Sequence, residues 1–519
     1  MSDLLRASWD VVVIGTGMGG GTLGRALAEA GRKVLFIEKG PAGHRREETP
    51  LSHDIFVPEA RLARGLWPAP MRARVDGIEQ SFYGPIGAGV GGSSVFYAAT
   101  LERPAPQDLD HTNARPHPTG GWPVSYAEFE PYLVRAEEMY HVHGTADPLS
   151  PAPSRALPKP GAMSEVDRVI AGRLAANGLH PYHLHTAVKN IEGCKNCLGF
   201  KCPMRCKMDA RSAGVEPALA TGNAALLHSA EVTKLVGDGQ SIKHIEIRLD
   251  GEPHLLRAPV FVLASGAFGS PRLCLGSASE AFPEGVANAS GRVGRGLMFH
   301  LNEMFAVWPR ITGSGPSKSV GFRDLLWHEG ERLGMVQAMG IDASYGEILH
   351  YLRLRLARNE IGKKRLVQEA ARLPAALAAR VLGNAKVFVG LMEDLAYEHN
   401  RVLPPVGDEI AFEYRLSEEL LARRKLFRRA IKGAFKGQQK MFLNNTPELN
   451  YGHPSGTMRF GANAKHSVLN GAGRVHELSN LYVADASFMP SSMGVNPSLA
   501  IAAQALRTAE AIIERGKHD

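Results

Sequence analysis

Residues Asp10 to Gly40 read DVVVIGTGMGGGTLGRALAEAGRKVLFIEKG, and this stretch constrains the fold more than any other part of the chain. A β-branched run, Val11 to Ile14, leads into Gly15-Thr16-Gly17-Met18-Gly19-Gly20. Leu23, Ala26, Leu27 and Ala30 then recur at helical spacing, and a second apolar run, Val34 to Ile37, ends at Glu38-Lys39. The predicted unit is strand, tight turn, helix and parallel strand. In such a unit Gly15 makes the turn, Gly17 lets the backbone approach a pyrophosphate, and Gly20 lets helix and strand pack closely. Met18 and Gly19 open the helix, whose unpaired N–H groups face the phosphates. Glu38, about twenty residues past the glycines, accepts hydrogen bonds from a ribose diol, with Lys39 beside it. A lone G-x-G-x-x-G is weak evidence. Here strand, turn, helix, strand and terminal acid fall in order, which predicts a Rossmann-like α/β dinucleotide-binding domain.

That fingerprint does not by itself separate NAD from FAD, although its nearness to the N-terminus favours FAD. A second glycine cluster, GPIGAGVGGSSVFYAATLERP, begins at Gly84 and packs Gly87, Gly89, Gly91 and Gly92 ahead of Ser93 and Ser94. Glycines spent this freely beside an apolar segment suit a backbone pressed against a flat or anionic group, with hydroxyls to bond it.

A chain of 519 residues exceeds what one hydrophobic core serves, so at least two domains are expected. Its 44% apolar and 22% charged residues are those of an ordinary globular protein. The absence of a long uninterrupted apolar run argues against a transmembrane helix. The opening MSDLLRASWDVVVIG has neither the charged nor the apolar region of a secretory signal, so a cytoplasmic location with reduced thiols is expected.

The net charge of +8 is concentrated: Leu352 to Gly383 carries eight Lys/Arg against two Glu. Apolar residues recur there at helical spacing, which predicts a basic amphipathic helix interrupted at Pro374. Such a surface can touch anionic lipid or an acidic electron-transfer partner. A solvated helix packed on the body is the favoured expectation, with peripheral membrane contact the less favoured one. The basic residues lack a recognised fold or interleaved aromatics, so nucleic acid is not an expected partner.

Four of the five cysteines, Cys194, Cys197, Cys202 and Cys206, crowd into GCKNCLGFKCPMRCKMD, which begins at Gly193. A reducing compartment disfavours disulfides. Structural zinc usually draws on two separated knuckles, and only one C-x2-C exists here. An iron–sulfur cluster accepts thiolates from one compact segment, although this spacing is not the ferredoxin run. Interleaved Lys195, Lys201, Arg205 and Lys207 would lower the thiol pKa values and offset the charge of a cluster. A metal site, iron–sulfur or zinc, and reduced packed thiols both stay open.

From Gly452 the chain reads GHPSGTMRFG, and from Asn480 NLYVADASFMPSSMGVNPSLAIAAQALRTAEAII. Further motifs are VFVLASGAFGSPRLCLGS from Val260 and GRVGRGLMFH ending at His300. With the two glycine clusters, these resemble the glucose–methanol–choline (GMC) oxidoreductases, flavoenzymes that oxidise alcohols with FAD. The motifs lie in order over nearly the whole chain, except from about Thr312 to Thr446. The resemblance implies an FAD-binding domain from residues 1–110, 190–302 and 450–519. It implies a substrate-binding domain on an antiparallel sheet from 111–189 and 303–449. His453 and Asn496 fall where the family places its active-site pair. Asp485 and Ala486 match the segment near the FAD ribityl and pyrophosphate, and Ser265 the turn returning to the dinucleotide fold. Val232 matches the residue that meets adenine through its backbone, and Asn496-Pro497 opens a helix toward the flavin pyrimidine. Tyr97 departs from the pattern, since several relatives carry Asn there. The stretch from Cys197 through Cys206 is similar to the loop of GMC dehydrogenase subunits that hold an iron–sulfur cluster, while other members keep Cys there without a known metal.

Oxidising an alcohol requires loss of the hydroxyl proton and transfer of the carbinol hydride to flavin N5. A neutral His453 can accept the proton. The Asn496 amide can hold the hydroxyl and fix which hydrogen faces the flavin. The expected function is FAD-dependent oxidation of a CH–OH group to aldehyde or ketone, with a sugar or glycoside, aryl or aliphatic alcohol as substrate. An electron-acceptor protein is a further expected partner of a dehydrogenase. The alternatives are hydroxynitrile-lyase-like chemistry on the same fold and a non-catalytic FAD-holding redox subunit.

Overall fold

The computed structural model describes residues 2–46, 56–151, 153–189, 191–194, 197–311, 318–340 and 344–516. Val11–Ile14 and Val34–Ile37 pair in parallel, and every residue of both strands is buried. Strands covered on both faces need apolar side chains at every position, which is what these runs supply. Val260–Leu263 flanks Val11–Ile14, Leu481–Val483 lies beyond it, and Ala224–Leu227 completes the other side. The result is a five-stranded parallel sheet assembled from widely separated parts of the chain. The helix Met18–Glu29 crosses between the first two strands and packs against the last helix, Ser498–Arg515. A Cβ on Gly19 would lie 1.6 Å from the Ala484 carbonyl oxygen, so only glycine lets this helix approach the edge strand.

A second, antiparallel sheet of six strands runs Gln439–Phe442, Leu301–Trp308, Lys386–Met392, Gly334–Ala338, Val320–Phe322 and Tyr182–His183. The helix Glu418–Ala434 buries Leu420, Phe427 and Ile431 in the core that includes strand residues Phe305 and Phe388. A four-stranded sheet joins the hairpin Met71–Val75/Ile78–Phe82 to Ile410–Tyr414 and Arg401–Val402. Buried ion pairs tie distant segments together. Arg323 reaches Glu102 at 2.7 Å, and Arg332 meets Glu393 at 2.7 Å and Asp108 at 3.2 Å.

The basic segment differs from its sequence reading in two respects. It forms three helices, Tyr345–Leu356, Arg365–Ala370 and Arg372–Leu382, and the main break falls ahead of Arg365. Pro374 sits in the first turn of the third helix, where the missing N–H has no intrahelical partner to lose. The expected inward packing also fails in part. The third helix buries Ala375 and Leu382 and leaves Leu373, Leu377 and Val381 exposed. Among the described residues, no helix is long and apolar enough to cross a membrane.

Candidate active site

The turn after the first strand is left-handed at Gly15, with φ of 106°. Beyond it, Thr16 stitches three segments together. Its hydroxyl donates to Glu38 Oε2 at 2.6 Å and accepts from the Gly91 N–H at 3.1 Å. Gly40 N–H donates to Glu38 Oε1 at 3.1 Å. Burial nevertheless raises the Glu38 pKa, so this carboxylate gains from further donors, such as those of a ribose diol.

A cavity of about 760 Å³ opens in front of this turn. Its wall brings together Gly15, Gly17, Met18, Gly19, Glu38, Lys39, Gly92, Ser93, Ser94, Val232, Ser265, Asp485, Ala486, His453, Asn496 and Pro497. Gly20 and Gly91 stand outside that wall. A Cβ on Gly20 would meet the Gly15 carbonyl oxygen at 2.2 Å, so this glycine serves packing. Asp485 is spent on the protein: it accepts from Gly266 N and Ser270 Oγ on one oxygen and from Ser487 N and Oγ on the other. Lys39 bonds Glu231 at 2.8 Å and Asp408 at 2.9 Å. Two cavity-wall atoms, Thr100 Oγ1 and Arg272 Nε, are buried with no hydrogen-bond partner among the described residues. Open volume, a helix start and unspent polar atoms fit a dinucleotide as large as FAD.

His453 Nδ1 lies 3.1 Å from His300 Nδ1 and 3.3 Å from Asn450 Nδ2. His300 Nε2 lies 3.0 Å from the Met493 carbonyl oxygen, which can only accept. Burial brings the His300 pKa down to about 4, so its ring is neutral with the proton on Nε2. Its Nδ1 is then an acceptor, and this shorter contact favours a proton on His453 Nδ1, against the longer contact with the Asn450 amide, a donor that favours the opposite tautomer. The other nitrogen of His453, Nε2, is left with a bare lone pair. His453 itself is held well below the ordinary imidazole range, by burial first and then by His300 and Lys318. Burial also lowers Lys318, to about 8, against the pull of Glu102. Gln337 Nε2 donates to Asn496 Oδ1 at 3.2 Å, which turns the Asn496 amide so that its N–H donors remain for a ligand. Sequence reasoning missed His300, Gln337, Lys318 and Asn450 as parts of this site. His300 closed a quoted motif; the other three carried no local signal.

Around the thiol loop, Cys206 Sγ lies 3.2 Å from Cys194 Sγ and 3.3 Å from Cys202 Sγ. Two thiolates on a tetrahedral zinc sit about 3.8 Å apart by the usual Zn–S length, so this packing is that of hydrogen-bonded thiols. Among the described residues, no three His, Cys, Asp or Glu side chains are disposed to hold a metal ion. The expected general lowering of thiol pKa values fails: burial raises Cys197 and Cys206, while Cys202 is lowered, with the Lys207 N–H among its donors. The Lys207 ammonium turns instead to carbonyls, donating to Val95 at 2.8 Å, Cys197 at 2.9 Å and also Phe200. It thereby fastens the loop to the segment holding Tyr97, a cavity-wall residue whose hydroxyl donates to the Met208 carbonyl at 2.6 Å. Arg205 pairs loosely with Glu216 at 3.8 Å, and Lys195 lies outside the described residues.

A parallel Rossmann-like sheet that opens onto one large cavity, with the neutral His453 imidazole at its wall and His300 buried behind it, defines a dinucleotide-dependent oxidoreductase. A family model described as GMC oxidoreductase matches residues 12–302, and a second of the same description matches 409–505. The chain belongs to the GMC oxidoreductase family: it binds FAD and acts on CH–OH groups. It is 27% identical over 537 residues to 6'''-hydroxyparomomycin C oxidase of Streptomyces lividus, covering 97% of this chain and 91% of that protein. It is 28% identical over 552 residues to paromamine 6'-oxidase of Streptomyces fradiae, again covering 97% and 91%. In fold it is similar to pyridoxine 4-oxidase from Mesorbium loti, with a TM-score of 0.62 at 19% identity over 97% of this chain and 99% of that one.

Proposed function

We propose that His453 Nε2 takes the hydroxyl proton of the substrate while an Asn496 N–H holds the substrate oxygen. Bound FAD supplies the acceptor for the carbinol hydride. The observation that carries this reading is the His453–His300 contact at 3.1 Å, because it leaves Nε2 bare. A buried, neutral imidazole needs no prior deprotonation, and a fixed amide donor steadies charge developing on the oxygen. Glu38 holds the adenosine ribose, and Val232, which lines the same cavity, meets the adenine through its backbone.

The substrate is a hydroxyl of a sugar-like alcohol. Asn450, Asn496 and His453 give the cavity a cluster of polar groups, and the two relatives are named as oxidases of 6'''-hydroxyparomomycin C and of paromamine. The discontinuous split into an FAD-binding part and a substrate-binding part on the antiparallel sheet accords with this use of the cavity. For the thiol loop, the sulfur spacing supports reduced, packed thiols in a reducing compartment such as the cytoplasm. An iron–sulfur cluster with an electron-acceptor protein is the other reading, supported by the run of four cysteines. Iron and acid-labile sulfide analysis of protein purified without oxygen separates the two. An anaerobic panel of sugar, aryl and aliphatic alcohols, scored by bleaching of the flavin, tests the function. Bleaching by sugar-type hydroxyls is expected, and bleaching by none of them would leave lyase chemistry or a non-catalytic role.

A further inference from the structure

The two helices Arg365–Ala370 and Arg372–Leu382 bury few side chains, Gln368 in the first and Ala375 and Leu382 in the second, and turn most of their large apolar residues out. Ala371, Ala375 and Leu382 are buried, whereas Leu366 is 85% exposed, Leu373 79%, Leu377 65% and Val381 57%. Positions 373, 377 and 381 are four apart, which places them on one helical face. Leu366 stands seven residues earlier, in the preceding helix, and Ile361 just ahead of it is also exposed. Isolated exposed leucines are common, but a stripe of this length on one surface is not.

Cations flank the stripe. Lys363, Lys364, Arg365, Arg372 and Arg380 are all exposed. Lys363 pairs with Glu360, and Arg372 with Glu369 at 2.6 Å. Lys364, Arg365 and Arg380 have no carboxylate partner among the described residues. Leu352 to Gly383 as a whole carries eight Lys/Arg against two Glu. An apolar stripe lined by unneutralised cations matches the boundary between anionic headgroups and acyl chains, since each kind of side chain finds its complement there. A second copy of this chain would bring like charge against like.

We propose that this face docks the enzyme on an anionic lipid bilayer, with Leu366, Leu373, Leu377 and Val381 entering the acyl boundary and the cations meeting the phosphates. The docked unit adjoins the candidate site. Its first helix, Tyr345–Leu356, packs on the third, and Tyr351 donates to Glu448 Oε2 at 3.1 Å. Arg358 lies 6.0 Å from the ring centre of Tyr451, two residues ahead of His453. Attachment at the outer helices therefore sits next to the segment that carries the histidine.

The test is flotation of the FAD-loaded protein with vesicles of phosphatidylcholine alone and of equimolar phosphatidylcholine and phosphatidylglycerol. Flotation is expected only with the anionic vesicles and is expected to fade with added salt. The Leu373→Glu/Leu377→Glu variant should bind roughly tenfold more weakly or worse, and Lys364→Glu/Arg365→Glu/Arg380→Glu about a hundredfold more weakly. Both variants should keep the flavin spectrum and melting temperature of the parent, because none of these side chains is buried. Failure of the parent to float with anionic vesicles overturns the proposal. So does equal flotation with both lipids, equal flotation of the variants, or a leucine-dependent dimer that ignores vesicles.

Discussion

Replacing His300 with Phe probes the tautomer of His453 without touching the ring that takes the proton. In the parent, His300 Nδ1 accepts from His453 at 3.1 Å, and the Asn450 amide waits at 3.3 Å from the same nitrogen. Without His300, a proton on His453 Nδ1 is buried and unpaired, at a cost of about 1–3 kcal/mol. The opposite tautomer then accepts from Asn450 Nδ2 and gains about 1 kcal/mol. It becomes favoured by about 2–4 kcal/mol, which leaves Nε2 bare in about 30- to 1000-fold fewer molecules. Anaerobic stopped-flow reduction of the flavin by a substrate found in the alcohol panel should slow by that factor, with an unchanged oxidised spectrum. A structural defect would not be cured by changing a neighbour's hydrogen-bonding sense. Asn450→Asp in the His300→Phe background offers Nδ1 an acceptor again and should recover much of the rate. Full-speed reduction in His300→Phe, or no recovery in the double variant, refutes the tautomer argument.

Flavin reduction should keep its rate as pH falls through the ordinary imidazole range, because burial holds His453 well below it. Lys318→Met removes one of the charges that hold it down, so the acid limb of the pH profile should move to higher pH. Glu38→Ala should release FAD more readily on dilution, as measured by flavin fluorescence in the filtrate, and retention equal to the parent would free Glu38 of the ribose role. Stability should carry the mark of His300, whose pKa is about 4 when folded against 6.5 for the free side chain. The unfolded chain takes the proton first, so this contribution is whole above pH 6.5 and fades as pH falls toward 4. The loss is about 3 kcal/mol, read from denaturant melts of the parent beside His300→Phe.

The dinucleotide-binding unit was legible because Gly15, Gly17, Gly20 and Glu38 lie in one contiguous strand–turn–helix–strand run. His453 and Asn496 were legible only through motif resemblance, since neither residue type is informative alone. His300 escaped because its meaning depends on a contact 153 residues away, and Gln337 reaches Asn496 across 159. Helical periodicity around Leu373 and Leu377 identified an amphipathic face, yet period alone does not say whether that face turns to the core or to solvent. Here Ala375 and Leu382 took the inner side. The thiol loop shows the same limit: alternating cysteines and lysines suggested lowered thiol pKa values, but Lys207 spends its charge on backbone carbonyls.

The most direct measurement compares anaerobic flavin reduction in the parent and in His453→Ala, each loaded with FAD, over the same alcohol. If His453 is the base, the variant keeps its flavin spectrum and slows by about a hundred- to ten-thousand-fold. Reduction at the parental rate would contradict the account, because the proton would then leave by a route that does not use this ring.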